Sequence, residues 1–290
     1  MVRAIKEAVP ERPSPFSKFG PAIIGEALYG SAIGRVVASK APSIREGDLV
    51  QSMEGWRECF TINAGDVQRI DPADLPPETF LGIAGMPGLT AFGGIVRLAK
   101  VTAGDVVFVT AAAGAVGSTV CQLAKLEGAT VIGAAGGEGK AQFLREIGVD
   151  HVIDYRATPN IEDALRNSAP QGISIHFENV GGEFLAAGLN VARPHARIVL
   201  CGLIRSFAGE EQLLPGNLMR VIRQRWQIYG LSSGDFMGEM QDFRTKMADW
   251  IKSGRIKSKA TIDHGIENAP AALLKLMSGD NIGKMLIAFE

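Results

Sequence analysis

Residues Val106 to Thr110 form an apolar, β-branched run that ends in Ala111-Ala112-Ala113-Gly114-Ala115-Val116-Gly117. A helical pattern follows at once through Ser118, Val120, Leu123, Ala124 and Leu126. The stretch reads as a strand, a tight turn and a helix N-terminus. The turn carries almost no side-chain bulk, so something must approach its backbone. Free amides at a helix start attract an anion, typically a phosphate.

The same texture then repeats. Strands are predicted at Thr130–Ala134, His151–Ile153, Ile173–Glu178, Ala196–Leu200 and Gln227–Leu231, with helices over 116–127, 140–147, 161–167 and 182–190 between them. Strict β/α alternation implies a parallel sheet covered on both faces, and six strands make two mononucleotide-binding halves. The front differs. Residues 1–22 read as a Pro-containing arm, followed by short strands at Ile33–Ala38, Asp48–Val50 and Glu58–Ile62. Residues Thr79 to Lys100 read as helices broken at Gly85-Met86-Pro87-Gly88. After Ser233 a helix runs from Phe236 to Ser253, and the tail holds a strand at Ala260–Ile262, a helix begun near Asn268-Ala269-Pro270 and a last strand at Lys284–Phe289. The expected division is 1–88 with 254–290 as one β-rich unit, and 89–253 as the inserted doubly wound α/β unit.

In a G-x-G-x-x-G fingerprint the first Gly makes the turn, the second meets the pyrophosphate and the third packs helix on strand. Ala112 stands at the first position here, with Gly114 and Gly117 at the others. Strand before and helix after make the match informative, although a Gly/Ala turn chosen for packing alone would look similar. An NAD site calls for Asp or Glu about 20 residues on, at the end of the second strand. This chain offers Ala134-Ala135-Gly136-Gly137, with Lys140 following. Small residues plus a lysine indicate NADP(H); the alternative is that Lys140 is a solvated first-turn residue.

Composition excludes other classes. The net charge of −1 carries no bias towards nucleic acid or membrane surfaces. No apolar run approaches the roughly 18 residues of a membrane span. Three scattered cysteines, Cys59, Cys121 and Cys201, have no metal-ligand spacing, so no metal site is expected and a reducing, cytoplasmic setting is.

Four motifs in order, Gly85-Met86-Pro87-Gly88-Leu89-Thr90-Ala91, Ala111 to Gly117, Phe177-Glu178-Asn179-Val180-Gly181-Gly182 and Cys201-Gly202-Leu203-Ile204, resemble those of the zinc-independent medium-chain dehydrogenases/reductases. The resemblance is to the leukotriene B4 dehydrogenase/prostaglandin reductase, alkenal and curcumin reductase group, and it runs from about Gly25 to the C-terminus. It implies a Rossmann domain inserted in a GroES-like β-rich domain, here short at its N-terminus, because the family's Asp-Pro-Tyr-Met-Arg segment has no counterpart.

The resemblance also implies roles. Ala113, Gly114, Ala115, Val116, Gly117 and Gly136 would contact the cofactor. Lys140 and Tyr155 would hold the 2′-phosphate, and Asn179 would lie over the cofactor. Cys201, Gly202, Leu203, Ile204, Leu231 and Ser233 would line the nicotinamide, with Pro87 and Thr90 near it and Asn281 reaching in from the tail. Each has a structural alternative: Tyr155 ending a strand, Asn179 holding a turn, Cys201 as a small buried apolar residue. Trp56, Arg205 and Phe207 would border the substrate.

The implied activity is metal-free, NADPH-dependent reduction of the C=C bond of α,β-unsaturated ketones and aldehydes, by a homodimer acting on a small molecule. The alternatives are a quinone reductase, or an NADP-binding protein with weak or lost catalysis. The family's tyrosine position is occupied by Phe207, which has no hydroxyl. Ser206 and Tyr29 remain as candidate hydroxyls.

Overall fold

A computed structural model describes residues 25–71, 75–204 and 219–289. The front holds a three-stranded antiparallel sheet of β1 (Ala32–Arg35), β2 (Leu49–Ser52) and β3 (Gln68–Ile70). The centre is a six-stranded parallel sheet of β4 (Val106–Val109), β5 (Thr130–Ala135), β6 (His151–Asp154), β7 (Ile173–Glu178), β8 (Ala192–Leu200) and β9 (Gln227–Gly230). The tail pairs β10 (Ala260–His264) with β11 (Lys284–Ala288) in parallel. The helices are α1 (Met86–Phe92), α2 (Ala115–Leu126), α3 (Glu138–Glu146), α4 (Ile161–Ser168), α5 (Gly182–Val191), α6 (Met219–Gln224), α7 (Met240–Lys252) and α8 (Ala269–Ser278). None of the described helices is long and apolar enough to cross a membrane.

The central strands lie in the order β6-β5-β4-β7-β8-β9. That is the doubly wound arrangement, with its topological switch between β4 and β7. Alternation along β4 sends Val107 and Val109 into one apolar layer with Leu89, Val120 and Phe243. Phe108 enters the other layer with Leu165, Ile173 and Ile198. A parallel strand buried on both faces must be apolar throughout, which is why β4 reads as a continuous run.

Three expectations need correction. Glu58–Ile62 is not a strand: the partner of β2 is Gln68–Ile70, in a register that sets Ile70 opposite Leu49 and buries Ile70. The chain leaves the sheet before Glu58, because Trp56 takes a left-handed conformation (φ 65°) and Gly55 donates its amide to the Gly30 carbonyl at 2.9 Å. The break in the helices over 79–100 falls slightly earlier than Gly85–Gly88: a 3-10 turn (Pro77–Leu81) stops before Gly82, and α1 begins at Met86, with Gly85 as N-cap and Pro87 in the first turn, where its missing amide costs nothing. Third, the helix expected from Phe236 opens as a 3-10 turn (Ser233–Glu239) and becomes α-helical only at Met240.

Beyond Phe92 the helix widens into a π turn, Gly93–Leu98. A Cβ at Gly93 would lie 2.3 Å from the Phe236 ring, and one at Gly94 2.5 Å from Phe177. The wide turn and the paired glycines let these aromatic side chains press against helix backbone.

The tail docks on the nucleotide-side loop. Gly283 donates its amide to the Ala113 carbonyl at 2.8 Å, forming a bridge to Gly114. Gly283 has φ +67°, and a Cβ there would lie 2.0 Å from the Lys259 carbonyl oxygen, so only glycine fits. Helix α8 ends on Gly279 in the left-handed conformation, with the Asp280 amide returning to the Lys275 carbonyl at 2.8 Å.

Candidate functional site

The loop after β4 turns at Ala111, whose φ is +47°. The sequence reading put the turn-making position at Ala112; the structure puts the left-handed residue one earlier, and Ala112 is buried with ordinary packing. The Gly114 amide returns to the Ala111 carbonyl at 3.0 Å. Gly114 is the N-cap of α2 and supplies no side-chain acceptor, so the first-turn amides face outward for an anion. A Cβ at Gly117 would lie 2.4 Å from the Ala111 oxygen and 2.8 Å from the Ala112 Cα. Gly117 therefore serves close helix–strand packing, the third role in the fingerprint.

At the end of β5, Gly136 lies under the Tyr155 ring, where a Cβ would meet the phenol at 2.7 Å. Tyr155 is held edge-on to Phe184, ring centroids 5.4 Å apart. Gly137 (φ +92°) donates its amide to Asp154 Oδ1 at 2.9 Å. Lys140 is not simply solvated: its Nζ donates to the Gly279 carbonyl of the tail. Burial and then the neighbouring Arg156 charge pull its pKa down, against the opposing pull of Asp280. Arg156, which the sequence reading missed, lies beside Gly137 and pairs with Asp280 at 3.2 Å. It follows Tyr155 directly, so the register that places the end of β6 beside the end of β5 was the signal that could have found it. Two cations and a phenol thus ring the strand end where a ribose 2′-substituent sits in doubly wound folds.

The ends of β7 and β8 form the other half. Glu178 is fully buried. Its Oε1 accepts from Thr110 Oγ1 at 2.8 Å, from the Gly181 amide at 2.9 Å and from the Val180 amide. Asn179 donates its backbone amide to Thr110 Oγ1 and its side-chain Nδ2 to the Thr110 carbonyl, both at 2.7 Å. The Glu178 carbonyl accepts the amides of Cys201 and Gly202, and the Asn179 carbonyl accepts that of Ile204. Sequence reading missed Glu178 as an organiser, and its buried neighbour His176, 3.0 Å away. Burial raises the Glu178 pKa, but His176 and the Gly181 and Val180 amides outweigh it and hold the carboxyl below its usual range. Burial, aided by the Glu178 charge, pushes the Cys201 thiol up to about 12, so it is an apolar wall rather than a thiolate nucleophile.

Other expected residues fall as follows. Leu231 bonds its amide to the Leu200 carbonyl at 3.0 Å and packs its side chain on Gly94, beside the β8 end; Ser233 opens the 3-10 turn. Leu203 lies between Gly202 and Ile204 in the same loop. Thr90 spends its hydroxyl inside α1, on the Met86 carbonyl at 2.7 Å. Asn281 is buried and donates to the Gly283 carbonyl at 2.9 Å, bracing the tail bridge. Trp56 packs on Gly30, and Arg57 pairs with Glu54 and stacks over Tyr29; this cluster belongs to the front sheet. Arg205, Ser206 and Phe207 lie outside the described residues. Among the described residues no group of three or more His, Cys, Asp or Glu side chains gathers as a metal site would.

The arrangement is a crevice at the switch point of a parallel sheet, with an uncapped helix N-terminus and a separate cationic corner. It suits a dinucleotide bearing a 2′-phosphate. Alanine at Lys140 or at Arg156 is expected to weaken NADPH binding by about tenfold to a hundredfold, the worth of one charge-assisted hydrogen bond. NADH binding should move by less than about twofold. Fluorescence titration with both nucleotides checks this; equal losses for the two would reject a 2′-phosphate role.

The chain matches a family model described as zinc-binding dehydrogenase over residues 115–253, and one described as N-terminal domain of oxidoreductase over 12–70. It is 35% identical to prostaglandin reductase 1 of Oryctolagus cuniculus over 90% of this chain and 76% of that one. It is 36% identical to an NADP(+)-dependent 2-alkenal reductase of Nicotiana tabacum over 91% and 77%. The crystal structure of CurA in complex with NADPH from Vibrio vulnificus superposes with a TM-score of 0.87 at 34% identity, over 93% of this chain and 82% of that one.

Proposed function

The chain belongs to the zinc-binding dehydrogenase family, in the group that holds prostaglandin reductase 1 and 2-alkenal reductase, and from that premise we propose that it reduces the C=C bond of α,β-unsaturated ketones and aldehydes with NADPH. The observation that carries the cofactor half is the cationic corner of Lys140 and Arg156 at the end of β5, where no acid terminates the strand.

When bound, the cofactor supplies a hydride to the β-carbon of the enone. The rest falls to this chain's residues. The first-turn amides of α2 and the bare Gly114 backbone hold the pyrophosphate, with Ala113, Ala115 and Val116 as the loop's small walls. Lys140, Arg156 and Tyr155 would hold the 2′-phosphate. Asn179 and the Cys201–Ile204 segment, with Leu231 and Ser233 beside them and Pro87 and Thr90 towards α1, line the nicotinamide and keep water from it. Hydride addition leaves an enolate, whose oxygen needs a hydrogen-bond donor and whose α-carbon must then take a proton to give the saturated product. Ser206 and Tyr29 would offer hydroxyls to that oxygen, while Trp56, Arg205 and Phe207 would border the substrate.

The division into a substrate-side unit, 1–88 with 254–290, and a cofactor unit, 89–253, is supported by the separate sheets and by Gly82 facing Lys284 of β11. A homodimer is supported by β9, an edge strand with exposed Ile228 and, close before it in the chain, exposed Met219 and Ile222; a monomeric mass in light scattering would reject it. Three free cysteines support a cytoplasmic setting, which fractionation of the source cells tests.

The test of the reaction is NADPH oxidation against a panel of 2-alkenals, enones and quinones. Turnover of the unsaturated carbonyls with a saturated product is expected. Quinone turnover alone would make it a quinone reductase. NADPH binding without any turnover would make it a non-catalytic nucleotide binder.

A further inference from the structure

The tail places an acid against the cationic corner. Asp280 Oδ1 accepts from Arg156 at 3.2 Å, and its Oδ2 accepts from Ser278 Oγ at 2.6 Å. One residue earlier, the Gly279 carbonyl takes the Lys140 ammonium. Both cations at the end of β5 are therefore engaged by consecutive residues of the segment that docks on the Ala113–Gly114 loop through Gly283. The other local acid, Asp154, has Oδ1 committed to the amides of Gly137 and Arg156. Asp280 is the acid whose partner is the guanidinium itself.

We propose that Asp280 is an internal counter-anion of the 2′-phosphate subsite, which the incoming phosphate displaces from Arg156, so that it lowers NADP(H) affinity and speeds its release. The inference rests on the NADP(H) reading above. Three observations carry it. The Arg156–Asp280 pair is about half exposed on each side (50% and 54%), so neither partner is locked and the guanidinium is free to turn. The phosphate and Asp280 compete for the same guanidinium, and a carboxylate left in place would face a dianion at short range. The Ser278 hydroxyl and the Asp280 backbone bond to Lys275 fix the acid to the end of α8, so its position survives when Arg156 leaves. Ser278 and then Arg156 hold the Asp280 carboxyl below the usual range, so it stays ionised at neutral pH.

Asp280→Asn keeps the shape and the Ser278 contact and removes the charge. Binding of adenosine 2′,5′-bisphosphate and NADP+, against AMP and NAD+ as controls, is measured by calorimetry on wild type and variant. The 2′-phosphorylated ligands should bind about threefold to fivefold tighter to the variant, the scale of one exposed ion pair, with a slower NADP+ off-rate in stopped flow. AMP and NAD+ should not change. Unchanged or weaker NADP+ binding overturns the proposal. Parallel weakening of all four ligands also overturns it, since that would mean the acid merely holds the tail in place. A wild type that binds NADP+ no better than NAD+ defeats the cofactor reading itself, and the inference with it. Melting temperatures of both proteins report whether the variant is folded.

Discussion

Alanine at Gly117 is expected to destabilise the protein by about 3 kcal/mol, the upper end for forcing volume into a packed site. In a chain of this size that lowers the melting temperature by about 5 °C. Alanine at Gly114, three residues away, should cost less than about 1 kcal/mol and yet weaken NADPH binding about tenfold or more. The contrast follows from what each Cβ meets. At Gly117 it meets the Ala111 oxygen at 2.4 Å and the Ala112 Cα at 2.8 Å, both backbone atoms of the loop that follows β4. At Gly114 the nearest atom is the Ala111 oxygen at 3.2 Å, and its φ of −79° suits any residue. A methyl there stands instead where the pyrophosphate must approach. Thermal melts and fluorescence titration of the two variants separate the roles. If Gly117→Ala melts like wild type, the packing account is wrong; if Gly114→Ala binds NADPH normally, the cradle lies elsewhere.

Alanine at Glu178 is expected to cost about 3–5 kcal/mol, as for removal of one partner from a buried charged network. The Thr110 hydroxyl and the amides of Val180 and Gly181 would lose their acceptor inside the core. Glutamine keeps an acceptor oxygen and should cost about 1–2 kcal/mol. The pH dependence carries a sign. The folded-state pKa of Glu178 is depressed, so its contribution is fully present above the unfolded carboxylate value, near 4.3, and is lost as pH falls through the folded value. Buried His176 faces the same carboxylate, and the half-buried Cys201 thiol feels its charge. Urea unfolding at neutral pH and near pH 4 should show wild type losing part of its margin on acidification, and Glu178→Gln losing less. An alanine variant within about 1 kcal/mol of wild type would show that the turn over 179–181 does not depend on this carboxylate.

Much of the fold was legible because it rests on short-range patterns. The alternation of apolar runs and amphipathic helices from Val106 onward identified all six central strands, with boundaries off by a few residues. The switch-point crevice followed from that. The front was harder. Glu58–Ile62 has a β-like composition, but the ladder chose Gln68–Ile70 because that register buries Ile70 against Leu49. Pairing partners distant in the chain are not encoded in local propensity.

The site divides in the same way. Lys140 and the absence of an acid after β5 were visible in sequence, because their distance from the fingerprint is set by one βαβ unit. Arg156 and Asp280 were not, because the corner they share joins residues 124 positions apart. Glu178 stood within a motif, yet its bond to Thr110 became apparent only with Thr110 brought alongside by the β4–β7 pairing.

By itself, then, the sequence determined the doubly wound sheet, the phosphate-accepting turn and the kind of nucleotide, since each depends on residues within a few turns of one another. Tertiary structure alone decided which residue bends the loop (Ala111, not Ala112), which charges meet at the 2′-phosphate corner, and how a buried carboxylate holds two strand ends together. Those features arise from contacts across the sheet and from the docked tail, and only the folded chain puts such distant groups within a hydrogen bond of each other.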